Sequence, residues 1–166
     1  MQKNSKKIIV RVLVILPYLL FLYILQGMVF PRLPVFGSVP LLLPMAVVGI
    51  AIYGGRISGG AFGLLAGMLC DLSFNQPTIQ FTLILTFLGL FIGYLSDTVI
   101  VTGFPSYIVC SLGVLLVSGF FQAFRPLFFE SAPFRPLLSI GLRQTVVSLL
   151  FVIPMYYLNR FVSRAF

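Results

Sequence analysis

Apolar residues run almost unbroken from Ile8 to Phe30, a stretch long enough to cross a bilayer and kinked at Pro17. The segment PRLPVFGSVP, with three prolines, ends it. Further apolar segments follow at 39–53, 57–72, 78–101, 104–124 and 137–158, separated by glycine, proline and charged residues. The pattern predicts an all-α integral membrane protein: a six-transmembrane-helix bundle in which residues 1–166 form one transmembrane domain. The second and third segments are short, each about 22 Å of helix against about 30 Å of hydrocarbon. They read either as a re-entrant hairpin joined at Gly54-Gly55-Arg56 and covered by other helices, or as true spans completed by flanking residues. The charge pattern favours true spans.

Composition supports the membrane setting. Hydrophobic residues make up 60% of the chain and charged residues 8%, with mean hydropathy +1.12. A water-facing domain carries about 25% charged residues, so this chain has too few to clothe its surface. The net charge of +8 does not form a nucleic-acid footprint, because the basic residues lie mostly at the chain ends and in short loops. With the N-terminus inside, Lys3, Lys6, Lys7, Arg11, Arg56, Arg160 and Arg164 fall on the cytoplasmic side, and Arg32, Arg125 and Arg135 fall outside. That asymmetry predicts a multi-pass plasma-membrane protein with both termini in the cytoplasm. The first apolar run is too long for a signal-peptide core and lacks a small-x-small cleavage site at its end. Histidine is absent and Cys70 and Cys110 stand alone in apolar runs. Zinc, haem, histidine-based triads and cofactors are therefore not expected.

The densest chemical pattern is ISGGAFGLLAGMLCD, which sets Gly59, Gly63 and Gly67 four residues apart and Asp71 four further on. On a helix such a series makes a slowly winding groove in which another backbone can lie close. The groove is suited to helix packing within the monomer, or to docking a partner's helix. Asp71 ends the same face near the outer boundary, either as an interfacial stop or as the partner of Arg143, the one basic residue inside the sixth span. Acid–base chemistry needs a second group at a defined spacing, and the other acids, Asp97 and Glu130, are not placed by one. No enzyme activity is expected.

A second pattern is GFFQAFRPLFFESAPFRP, from Gly119 to Pro136. Its prolines predict an irregular outer loop. Its phenylalanines anchor the loop among headgroups, lid a ligand pocket, or form with Arg125, Phe128, Phe129, Glu130 and Arg135 a surface for a partner protein.

Taken together, VPLLLP, the GGRISGGAFGLLAGMLCDLSF segment with its Gly63-x-x-x-Gly67-x-x-x-Asp71-Leu72 core, the Gln76-Pro77 turn and the LGLFIGYLSD ending resemble the rod shape-determining protein MreD family. The match covers about residues 37–97. It departs from the family after the turn proline, where the family often has glycine and this chain has Thr78-Ile79-Gln80. The resemblance implies a non-enzymatic membrane subunit of the bacterial elongation machinery. Such a subunit partners MreC and, through it, the MreB filament and the cell-wall synthases that build lateral peptidoglycan. The alternative is the substrate-binding S component of an energy-coupling-factor vitamin transporter, a small six-helix protein of similar plan. Those proteins dock through Ala-x-x-x-Ala in the first helix, whereas the first span here contains no alanine.

Overall fold

The computed structural model describes residues 14–32, 39–73, 79–98, 103–129 and 134–163, with the side chains at 73, 123–129 and 134–140 excepted. These residues are all-helical: α1 (Val14–Val29), α2 (Leu42–Ser73), α3 (Gln80–Thr98), α4 (Phe104–Phe129), α5 (Phe134–Leu150) and α6 (Val152–Ser163).

The polypeptide breaks in α2 at Gly55, whose φ of 74° is the left-handed conformation that glycine alone adopts without strain. The two halves, α2a (residues 42–54) and α2b (residues 56–73), do not continue one another. A Cβ built on Gly59 would lie 2.7 Å from the Ala51 Cβ, although eight residues of straight helix separate two atoms by about 12 Å. Gln26 likewise touches both Leu42 and Cys70, which lie at opposite ends of α2. The chain therefore doubles back at Gly54-Gly55-Arg56. By length and apolar character, α2, α3 and α4 each suffice to cross a membrane, and the bent pair α5–α6 makes a fourth. For α2 that length is folded into a hairpin.

Every residue from Pro40 to Ile52 is buried. α2a is therefore the core of the bundle, apolar on all sides because it meets protein on all sides. The N–H groups at its start, which have no partner within the helix, are capped from a distance. A π-helical turn at Leu25–Val29, closed by the Phe30 N–H donating to the Leu25 carbonyl at 3.1 Å, turns Gln26 inward. The Gln26 Oε1 then accepts from the Leu42 and Leu43 N–H groups, both at 2.9 Å, and the Leu41 N–H donates to Ser148 Oγ at 2.9 Å. These contacts supply partners that a helix start otherwise lacks. The exterior, by contrast, is apolar: Leu83, Phe87, Val109 and Phe161 are among the most exposed large side chains. Such a surface belongs in a bilayer.

Two sequence expectations are corrected. The span expected at 137–158 is not one rod. Pro154 has no N–H for the Leu150 carbonyl, the Phe151 N–H turns to the Ser148 carbonyl at 2.9 Å, and the axes of Gly141–Leu150 and Val152–Ser163 meet at 57°. The irregular outer loop is also shorter than its prolines suggest. α4 runs through Pro126 to Phe129, and α5 starts at Phe134 with Pro136 in its first turn, where the missing N–H costs nothing. Arg125, Phe128 and Phe129 thus stand on α4 and Arg135 on α5, their side chains not among those described. Glu130 lies outside the described residues.

Candidate functional site

The glycine series faces inward, against α3. A Cβ on Gly59 would meet the Gly89 carbonyl oxygen at 2.5 Å, and one on Gly63 would collide with the Leu85 carbonyl. One on Gly67 would strike the Thr82 Cα and come within 2.8 Å of the Phe81 carbonyl. The colliding atoms are mainly backbone, so α2b and α3 touch main chain to main chain. Such proximity yields dispersion contact in a medium where the hydrophobic effect gives helices no reason to associate. The groove expected for packing or for a partner's helix is filled by the protein's own α3, which corrects the partner half of that expectation.

Asp71 closes the end of this contact at the start of α3. Its Oδ1 accepts the Phe81 N–H at 3.0 Å, and its Oδ2 accepts the Thr82 N–H at 3.0 Å and the Thr82 hydroxyl at 2.6 Å. The carboxylate thereby caps the N-terminus of α3, where unpaired N–H groups and the helix dipole both favour negative charge. The expected Asp71–Arg143 pair is not formed. Among the described residues no ion pair joins the two, and Arg143 is exposed on α5. The backbone donors of α3 had already satisfied the carboxylate.

The opposite end repeats the device with the helices exchanged. Asp97, in the last turn of α3, accepts the Arg56 N–H at 3.2 Å and so caps α2b. The carboxylate enters because Gly55 has no side chain: a Cβ there would stand 2.8 Å from Asp97 Oδ1. Gly89 and Gly93 are packed against the Gly59 carbonyl and the Arg56 backbone. The spacing Gly89-x-x-x-Gly93-x-x-x-Asp97 equals Gly63-x-x-x-Gly67-x-x-x-Asp71. α2b and α3 therefore form an approximately two-fold clasp, in which α2b gives three glycines, α3 gives two, and each ends in an aspartate that caps the other. The Arg56 guanidinium lies over the Tyr94 ring, 5.9 Å from its centroid, at the Asp97 end.

A consequence is measurable. Asp71→Ala leaves the Phe81 and Thr82 N–H groups without an acceptor and is expected to cost about 1–2 kcal/mol, as loss of a strong helix cap does. Asp71→Asn retains one carbonyl acceptor and should cost less. Thermal unfolding in detergent ranks the two, and equal stability of Asp71→Ala and wild type would remove the cap from the energetics.

A second polar cluster had no sequence expectation. Asn159 on α6 is fully buried. Its Oδ1 accepts from the Tyr18 hydroxyl at 2.6 Å, and its Nδ2 donates to the Tyr107 hydroxyl at 3.0 Å and to the Met45 carbonyl at 3.3 Å. The Tyr107 hydroxyl also donates to Met45 O at 3.2 Å. Four helices, α1, α2a, α4 and α6, meet at this side chain. Among the described residues no group of three or more histidine, cysteine, aspartate or glutamate side chains is placed to hold a metal ion. Comparison with protein-family models, curated proteins and solved structures gave no match.

Proposed function

We propose that this chain is a non-enzymatic membrane scaffold of the MreD kind, holding an MreC-like partner and through it the MreB filament and the synthases of lateral peptidoglycan. In this reading the chain crosses the bacterial plasma membrane six times, with α2a and α2b as the short second and third spans and both termini in the cytoplasm. The observation that carries the proposal is the use made of Asp71 and Asp97. Both carboxylates cap helices within the α2b–α3 clasp, so the most polar chemistry of the segment resembling MreD is spent on rigidity. A rigid, apolar-surfaced bundle is suited to positioning a partner in the bilayer.

Co-expression with MreC from the same organism, followed by purification in mild detergent, tests the reading. The two proteins are expected to elute together in fixed proportion. An MreC that separates, with a vitamin retained by the purified chain, would instead support the S-component alternative.

A further inference from the structure

The outward face of α5 carries a charge that no acid among the described residues answers. Gln144, Thr145, Val147 and Ser148 turn inward, Gln144 donating to the Val39 carbonyl at 3.0 Å and Ser148 accepting from Leu41. The other side of the helix presents Leu142, Val146 and Leu150, each more than half exposed, with Arg143 exposed among them. In a bilayer this face meets hydrocarbon. Arg143 stands eight residues beyond Arg135, about 12 Å further along the helix. If the span enters hydrocarbon at Leu137, where the apolar segment starts, Arg143 lies about 9 Å inside it.

The described acids are committed elsewhere. Asp71 is held by three donors at the start of α3, and Asp97 lies at the opposite end of the clasp, against Arg56. Glu130 lies outside the described residues. An arginine within an apolar helix face is unfavourable unless paired, and such residues in membrane proteins generally mark a contact or a pathway. We infer that Arg143, flanked by Leu142, Val146 and Leu150, is the contact point for a partner's transmembrane helix bearing a carboxylate at the same depth. Charge complementarity specifies the occupant: a plain apolar helix would cover the leucine and valine but leave the guanidinium without a counter-charge. This inference rests on the scaffold reading and gives the partner's membrane helix its chemistry.

The test uses the full chain, carrying a fluorescent fusion at its C-terminus, in phosphatidylcholine vesicles. The probe is an acceptor-labelled leucine-rich transmembrane peptide with one aspartate in its outer third. Energy transfer is expected to show this peptide associating at least about tenfold more tightly than its asparagine and leucine counterparts. Arg143→Leu should abolish the difference, Arg143→Lys should preserve most of it, and Arg56→Gln should leave it unchanged. Because Arg143 is exposed, Arg143→Leu is expected to melt with wild type, separating lost binding from lost folding. Equal association of the three peptides, or undiminished preference in Arg143→Leu, would overturn the inference and leave lipid phosphate as the counter-charge. Since MreC is absent from this assay, failure here is distinct from failure of MreC to co-purify.

Discussion

Leucine at position 63 is expected to force α2b and α3 apart and to yield a protein that no longer purifies as a single species. A Cβ at position 63 would collide with the Leu85 carbonyl and stand 3.1 Å from the Thr86 Cα, and neither atom can rotate away. Overpacking a core costs about 1–3 kcal/mol when side chains can yield. Backbone cannot, so Gly63→Leu should exceed that range. The damage propagates, because separating the helices also draws Asp71 from the α3 N-terminus and Asp97 from Arg56. Gly63→Ala should show a smaller loss of the same kind. Gly113→Leu is the control: a Cβ there meets nothing within 4 Å, and the residue is exposed on α4. Size-exclusion profile and melting temperature in detergent distinguish them, and a Gly63→Leu protein as stable as Gly113→Leu would mean the two helices do not pack as described.

The clasp shows how far residue type alone can be read. Three glycines at helical spacing announce a close backbone approach, and Gly54-Gly55-Arg56 announces the break, because in each case the missing side chain is itself the signal. The partner of Asp71 was less accessible. A sequence displays the charged side chain of Arg143 but not the unpaired N–H groups of Phe81 and Thr82, which exist only once α3 has a start. The repeated Gly-x-x-x-Gly-x-x-x-Asp spacing at 89–97 was legible and identifies those donors: if Asp97 ends its helix as Asp71 ends its own, antiparallel packing brings each carboxylate to the other's N-terminus. Burial was not legible for α2a. A helix that is apolar all round reads the same whether lipid or protein surrounds it, and α2a owes its position to the hairpin and to caps from Gln26 and Ser148. Pro126 and Pro136 were read as breakers because their effect depends on where a helix starts and stops, which the apolar pattern fixes only loosely.

Removing the amide of Asn159 should be the second most damaging change, and for an electrostatic reason. In Asn159→Leu the number of side-chain heavy atoms is kept, yet the Tyr18 hydroxyl loses its acceptor at 2.6 Å and the Tyr107 hydroxyl and Met45 carbonyl lose a donor. No water-filled surface is at hand to replace them, since Tyr18, Tyr107 and Met45 are all buried. Each polar group orphaned in such a place costs about 1–3 kcal/mol. The Tyr107–Met45 bond at 3.2 Å relieves part of that loss but does nothing for Tyr18. Shape adds to it, because Gly49 lies so close to the Asn159 side chain that even a Cβ on Gly49 would collide with it, leaving no room for the tetrahedral Cγ of leucine. A loss of a few kcal/mol corresponds to a fall of roughly 5–10 °C in melting temperature. The decisive comparison is the cycle with Tyr18→Phe. Either substitution alone leaves a buried group unpaired, whereas the double variant removes both partners of the 2.6 Å bond together and should be more stable than the sum of the single losses predicts. Strict additivity would show that Tyr18 and Asn159 do not share a bond, and that α1 is held to α6 by apolar contact alone.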